Sequence, residues 1–133
     1  MGEIEQQEIP LLTFNSLYNL LREERKTKKL QQFPDLFYEA LEKFLKDKNN
    51  EILRLKNQGD NVRLKKEMLV LKNSKKISSS LLAIRCKKIA NIAIENKIEG
   101  DILDEENILE KETVLFSKVK SSFGKIIKTI NAK

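Results

Sequence analysis

The residues with the greatest potential for chemistry lie in one short segment, in which the only cysteine of the chain stands among cations. Cys86 is flanked by Arg85, Lys87 and Lys88. Neighbouring cations can lower the pKa of a thiol and make it a nucleophile. The chain contains no histidine to act as the base, so a Cys-His nucleophile is excluded. We therefore interpret Cys86 as a small buried hydrophobic residue, and no internal disulfide can form.

Other catalytic and metal-binding patterns are weak or missing. The carboxylates Asp101, Asp104, Glu105 and Glu106 could bind a hard cation, but their spacing does not follow an EF-hand loop. Capping of a helix accounts for them better. The serines at 78–80 lack a GxSxG context, and the chain has no Gly-rich phosphate loop. We therefore expect a protein that is not an enzyme and needs neither a metal nor a cofactor.

The composition favours one soluble domain with a basic surface. Of the 133 residues, 40% are hydrophobic and 35% are charged, and the formal net charge is +6. This excess suits an acidic partner such as nucleic acid, although a lysine-rich solvated surface is its commoner cause. No apolar run approaches the ~20 residues of a membrane helix, and the N-terminus does not resemble a signal peptide. We expect a cytoplasmic protein with no membrane partner.

The elements that would position these residues are long helices. Four glycines and two prolines divide the chain, and no segment shows the alternation of a strand. The stretch 73–80 is polar and contains three consecutive serines, so either a bend or a continuous helix is compatible with it. The sequence predicts an all-α bundle of about four to five helices over residues 13–131, after a flexible segment 1–12. The predicted helices begin near Thr13, which is the predicted N-cap, and near Asp35, Val62 and Asp104. Gly59, Asp60 and Asn61 are predicted to form the turn before the third helix.

Arg85 occupies an unusual place on an apolar helix face. It follows Leu82 by three residues and precedes Ile89 by four, so the three side chains share one face. A cation on such a face must reach solvent or pair with a carboxylate. We expect Arg85 or Lys88 to pair with a carboxylate, either in the core or across an interface.

The last helix carries a heptad-like apolar pattern, in which residues 116, 119, 123, 126 and 130 are separated by three, four, three and four positions. It could pack against helices of the same chain or against a partner helix. Residues 95–112 hold eight acids and two lysines, whereas five lysines and no acid follow. Such segregation suits a subunit of an assembly. The candidate core or interface residues are Leu82, Arg85, Lys88, Ile89, Phe116, Val119, Phe123 and Ile127.

The order of four segments resembles archaeal GINS subunits. Residues 17–24 (LYNLLREE) are similar to an LxxLLRxE helix of that family. Residues 30–40 (LQQFPDLFYEA) resemble the start of its second helix, and residues 85–93 (RCKKIANIA) resemble its "R..KI...A" helix. Residues 103–107 (LDEEN) resemble its acidic "LT.EE" start. The resemblance extends over roughly residues 12 to 127.

The resemblance implies the helical domain of a GINS subunit in which that domain comes first. GINS subunits form tetramers, in archaea often two copies each of two types, and have no catalytic residues. They associate with the MCM helicase and a RecJ-like partner and support unwinding in DNA replication, which implies a nucleoid-associated protein. A small β-rich domain usually follows the helical one, and none is visible in this chain.

A second hypothesis stays open beside the resemblance. The protein could be an independent basic helical protein that binds nucleic acid directly, through a ridge of cations along one helix. Its basis is the net charge and the lysine-rich last segment. The ridge would comprise Lys72, Lys75, Lys76, Arg85, Lys87 and Lys88.

Overall fold

The computed structural model describes residues 8–100 and 105–131, and all regular structure in these ranges is helical. The prediction of an all-α bundle is confirmed. None of the described helices offers the continuous apolar stretch that a bilayer crossing requires. Most of the predicted flexible segment 1–12 and the carboxylates Asp101 and Asp104 lie outside the described residues. The four helices are α1 (Phe14–Lys26), α2 (Phe37–Gln58), α3 (Asn61–Glu99) and α4 (Thr113–Asn131).

The start of α1 is set by a reciprocal cap. The Ser16 backbone N–H donates to Thr13 Oγ1 at 3.1 Å, and the Thr13 backbone N–H donates to Ser16 Oγ at 2.8 Å. Two donors that have no partner within the helix are thereby satisfied. The predicted N-cap at Thr13 is confirmed.

The turn between α2 and α3 also lies where the sequence predicts it. Gly59 adopts the left-handed conformation, with φ of 72°, and ends α2. Asp60 then accepts a hydrogen bond from the Arg63 backbone N–H at 3.2 Å and caps α3. A side chain with a Cβ would be strained at φ near 70°, which explains glycine here.

Helix α3 runs without a break through the serine-rich stretch. The Ser74 hydroxyl donates to the Val70 carbonyl at 2.7 Å, and the Ser78 hydroxyl donates to the Ser74 carbonyl at 2.8 Å. Each hydroxyl shares a carbonyl that also accepts a backbone N–H of the helix, so the buried hydroxyls are satisfied while the helix continues. The helix has 39 residues and extends about 58 Å.

Helix α3 is the centre of the packing, because α1, α2 and α4 all contact it. Its buried line follows Leu81, Arg85, Ile89 and Ala93, each four residues apart. The core against this line is formed by apolar side chains of α1, the α1–α2 connection and α2, together with one from the segment before α4. These residues are Leu17, Leu21, Phe33, Phe37, Leu41, Phe44 and Leu109.

The predicted start of α4 near Asp104 is wrong within the described residues. Two single-turn 3-10 helices, Glu105–Asn107 and Glu110–Glu112, precede α4, which begins only at Thr113. In this segment the Asn107 amide donates to the Leu30 carbonyl, and Leu109 packs into the core. Glu112 accepts a hydrogen bond from Arg85. These inward contacts are two and three residues apart, a spacing that a regular α-helix does not place on one narrow face.

Candidate functional site

The most distinctive site is a polar cluster buried around the guanidinium of Arg85, which is completely shielded from solvent. Nε donates to Glu112 Oε2 at 2.8 Å, and Nη2 donates to Glu112 Oε1 at 2.8 Å and to the Asn107 carbonyl at 3.1 Å. Nη1 donates to Glu24 Oε1 and to the Gln31 carbonyl, both at 2.9 Å. A guanidinium has five N–H donors, so its donor capacity is fully used.

A second cation completes the cluster on the side of Glu24. The Lys88 ammonium donates to Glu24 Oε2 at 2.6 Å, to the Glu24 carbonyl at 2.6 Å and to the Lys29 carbonyl at 2.9 Å. All three donors of the ammonium are used. The Gln31 backbone N–H also donates to Glu24 Oε2, at 3.2 Å. The buried carboxylate of Glu24 therefore joins two cations of α3 to the end of α1.

The Glu112 carboxylate accepts further hydrogen bonds from α2 and from its own segment. The Tyr38 hydroxyl donates to Oε2 at 2.6 Å, and the Leu109 backbone N–H donates to Oε1 at 2.9 Å. Burial by itself would raise the pKa of Glu112, but the hydrogen bonds from Arg85, Tyr38 and Leu109 outweigh it and hold the pKa below its usual value. Glu112 is therefore ionised at neutral pH.

The Glu112 carboxylate also shifts the pKa values of Arg85 and Tyr38. Burial alone would lower the pKa of Arg85, but the hydrogen bonds and negative charges of Glu112 and Glu24 outweigh it and raise the pKa. Burial, followed by the hydrogen bond to Glu112 and its charge, raises the pKa of Tyr38 well above its usual value. The cluster thus contains two cations, two carboxylates and a neutral phenol.

Aromatic rings enclose the cluster on its apolar side. The ring centroid of Phe33 lies 4.1 Å from Arg85 Cζ, a cation–π contact. Phe37 packs edge-on against both Phe33 and Tyr38, with centroid distances of 4.8 and 5.2 Å. Water is excluded from one face of the guanidinium, which makes its ion pairs stronger and their disruption more costly.

The arrangement of the cluster suits support of the fold rather than chemistry. Its donors and acceptors are matched to one another, and no buried side-chain nitrogen or oxygen in residues 8–100 and 105–131 lacks a partner. A general base, nucleophile or metal ligand needs a free lone pair directed at a substrate or ion. The cluster instead joins α1, the α1–α2 connection, α2, α3 and the segment before α4.

The candidate residues from the sequence fall into two separate groups in the structure. Arg85 and Lys88 meet in the cluster, Ile89 is fully buried beside them, and Leu82 is half-buried next to the buried Leu81. The remaining candidates lie along α4 and are half-buried, outside the cluster. They are Phe116, Val119, Phe123 and Ile127.

Sequence reasoning did not identify the two carboxylates that face Arg85. A signal for Glu24 was present, because it follows Leu17 and Leu21 by seven and three residues and so lies on the apolar face of α1. Glu112 had no comparable signal, since the segment before α4 has no helical periodicity. Only the tertiary structure places it opposite a residue 27 positions away.

Two expectations about the basic segment of α3 are wrong. Cys86 is exposed rather than buried, because it lies one position past Arg85 and off the buried line. Partial desolvation, followed by the charge of Glu112, raises the pKa of its thiol despite the nearby guanidinium. The proposed basic ridge is also incomplete, because Arg85 and Lys88 point into the cluster while Lys87 is exposed.

Helix α4 carries an apolar stripe that the other described residues cover only in part. We call residues Leu115, Val119, Phe123, Ile126 and Ile130 the α4 stripe; successive members are four, four, three and four positions apart. The first three are half-buried, whereas Ile126 and Ile130 are 64% and 71% exposed. One flank of the helix, at the buried Gly124, approaches the Lys97 side chain of α3.

No group of three or more His, Cys, Asp or Glu side chains that could hold a metal ion is found in the described part of the chain. Glu105, one of the carboxylates considered for a cation, accepts a hydrogen bond from the Asn96 amide. Comparisons with protein-family models, with curated proteins and with solved structures give no match for this chain. Its function is therefore inferred from its own residues and geometry.

Proposed function

We propose that this protein is a non-enzymatic helical scaffold subunit of a multiprotein assembly. The observation that carries the proposal is the incompletely covered α4 stripe, where Ile126 and Ile130 are mostly exposed. Contiguous exposed apolar surface on a small protein is characteristic of an interaction site. The saturated Arg85 cluster supports the same conclusion, because it serves to hold the helices together and leaves no group free for a reaction.

We further propose that the assembly is the GINS complex, the accessory factor of the replicative MCM helicase. This part rests on the order of the segments at residues 17–24, 30–40, 85–93 and 103–107. Arg85, which lies in the third of these segments, binds Glu24 from the first and contacts Phe33 in the second. The Asn107 carbonyl, in the fourth segment, also accepts a hydrogen bond from Arg85. All four resembling segments thus contribute to one buried cluster, which supports this part of the proposal.

Light scattering after co-expression tests both parts of the proposal. The chain would be purified alone and then together with candidate GINS subunits, an MCM helicase and a RecJ-like protein. We expect a stable complex of defined mass, a hetero- or homo-tetramer of GINS subunits, to which the helicase components bind. A monodisperse monomer that associates with none of these proteins would contradict it.

A basic groove favours direct nucleic-acid binding as a second candidate function. The groove, about 660 Å³ in volume, lies between the α1–α2 connection and α3. Four cations line it, with the carboxylates Glu24 and Glu95; the cations are Arg25, Lys28, Lys29 and Lys88. The ammonium of Lys88 is already occupied by Glu24 and Lys29. The exposed cations of the connection would therefore have to supply the phosphate contacts.

Salt-dependent binding of labelled single-stranded and duplex DNA tests the second candidate. Direct binding predicts a steep loss of affinity as salt rises, and a shallower slope in a K28E/K29E variant, because fewer counterions are released. A K65E/K66E variant on α3 is the matched control, since both lysines are exposed and lie outside the groove and outside the ridge. No binding at low salt would exclude this candidate.

A further inference from the structure

We infer that the α4 stripe binds an amphipathic helix of a partner protein whose apolar face is bordered by carboxylates. The inference rests on the proposed scaffold role and specifies the chemistry of its partner. A helix is the expected occupant because the stripe follows the spacing of a helix-packing seam. From Leu115 to Ile130 it extends about 22 Å, enough for roughly four helical turns of contact.

The charge of α4 indicates which kind of helix fits. Thr113–Asn131 contains four lysines and no acidic residue. Lys118 and Lys125 are exposed, lie seven residues apart and directly precede Val119 and Ile126 of the stripe. They therefore share the border of the stripe that α3 does not cover. Carboxylates of a partner helix at seven-residue spacing would meet both ammonium groups.

The same charges disfavour a second copy of α4 as the occupant. Two α4 helices packed through the stripe would bring the Lys118 and Lys125 borders of both copies together, without a carboxylate in either helix. Like charges across an interface oppose association and weaken it most at low salt. An acidic helix gains from those lysines instead. The stripe thus discriminates between partners through its border, while its apolar residues supply the contact area.

The flank of α4 that faces α3 is already packed and cannot bind the partner helix. Gly124 is buried, and a Cβ at this position would lie 2.7 Å from Lys97 Cε on α3. Lys120 bends over the ring of Phe116, with its Nζ 5.7 Å from the centroid. The α3-facing side of α4 is therefore closed, and the stripe with its Lys118 and Lys125 border is the accessible side.

Two synthetic peptides test the inference against the full chain. Both are lactam-stapled helices of three heptads with leucine at the a and d positions; one carries glutamate and the other lysine at e and g. Fluorescence anisotropy at low salt should show the glutamate peptide binding at least tenfold more tightly, with a smaller preference at high salt. Equal binding of the two peptides, or no binding of the glutamate peptide, would overturn the inference.

Variants locate the binding and separate apolar from charged contributions. I126D should reduce binding of the glutamate peptide at least tenfold, and K118E/K125E should reverse the preference toward the lysine peptide. V62D is the control for the first, since Val62 is 82% exposed on α3, and K65E/K72E is the control for the second. Unchanged helicity by circular dichroism shows that each variant is folded. If the controls lose binding equally, the inference is wrong.

Two further measurements distinguish this inference from the proposed function. Self-association that I126D abolishes would identify a second copy as the occupant and overturn the inference. If GINS subunits co-purify with the chain and neither I126D nor K118E/K125E weakens the complex, the inference fails while the proposed function stands. If they do not co-purify but the glutamate peptide binds, the inference stands and the assignment to GINS fails.

Discussion

Arg85 and Glu112 form a bidentate ion pair across 27 residues of sequence, with both nitrogen–oxygen distances at 2.8 Å. Arg85 is fully buried and Glu112 is 5% exposed. Planar guanidinium and carboxylate groups match in this geometry, and each fixes the orientation of the other. The pair holds the segment before α4 against α3 and sets the position at which α4 begins. The contribution of this ion pair to the free energy of unfolding can be measured with variants.

Removal of the guanidinium should be the most damaging single change in the core. An R85M variant leaves Glu112 buried without its cation and leaves Glu24 buried with Lys88 alone. We expect the free energy of unfolding to fall by about 3 kcal/mol or more, measured by urea denaturation. R85K should also destabilise the protein, because one ammonium cannot replace five donors. A loss below about 0.5 kcal/mol, the range of a surface change, would reject this role for Arg85.

Glu112 should make the protein sensitive to acid. Its pKa is lowered in the folded state, so the unfolded chain takes up the proton first as pH falls. The stability from Glu112 is therefore complete above its unfolded pKa of about 4.3 and is lost as pH falls through the lower folded pKa. In E112Q, the curve of unfolding free energy against pH should be flatter in this acidic range, and lower overall at neutral pH.

The exposed Glu23, which pairs with Lys26 at the surface, is the control for the acid experiment. E23Q should keep the acid dependence of the parent protein, because a surface ion pair contributes little. The explanation would be refuted if E112Q and E23Q changed the acidic part of the curve to the same extent.

Tyr38 should make the free energy of unfolding depend on pH in the alkaline range. Burial, together with the hydrogen bond to Glu112 and its charge, raises the pKa of Tyr38 in the folded state. The unfolded chain loses this proton at about pH 10, so the stability from Tyr38 is present below that pH and declines above it. Y38F should cost about 1 to 2 kcal/mol at neutral pH and reduce the alkaline decline. The exposed Tyr18 offers a matched control in Y18F.

Phenolate absorbance gives an independent measurement of Tyr38. As pH rises, one tyrosine of the folded protein should ionise late, and Y38F should remove that late step while Y18F leaves it. Ionisation of both tyrosines together in the folded protein would show that Glu112 and burial do not hold the Tyr38 proton.

Gly124 should tolerate a methyl group and reject a large side chain. An added Cβ would lie 2.7 Å from Lys97 Cε, but the end of this exposed lysine can move away. Alanine in a helix interior is favoured over glycine by about 1 kcal/mol. We therefore expect G124A to raise the melting temperature slightly, whereas G124L should lower it by separating α4 from α3. A lower melting temperature in G124A would show that the position of Lys97 is fixed.

Local sequence patterns were sufficient for the helices that begin or end with their own signals. Thr13 caps α1, and Gly59 and Asp60 form the turn between α2 and α3, as predicted. The apolar spacing around Arg85 also indicated that this cation needs a carboxylate, which the structure supplies twice. Caps, turns and helical periodicity act over a few residues, so neighbouring residues in the chain are enough to reveal them.

The identity of the partners of Arg85 depended on tertiary packing. Glu24 and Glu112 lie 61 and 27 residues away, and many other carboxylates in the chain were equally available from sequence alone. The same packing sets the start of α4 at Thr113, because Leu109 and Glu112 both lie inward, at a spacing that differs from the buried line of a regular helix. Burial and ion pairing act between elements brought together in space, and for this reason no local pattern encodes them.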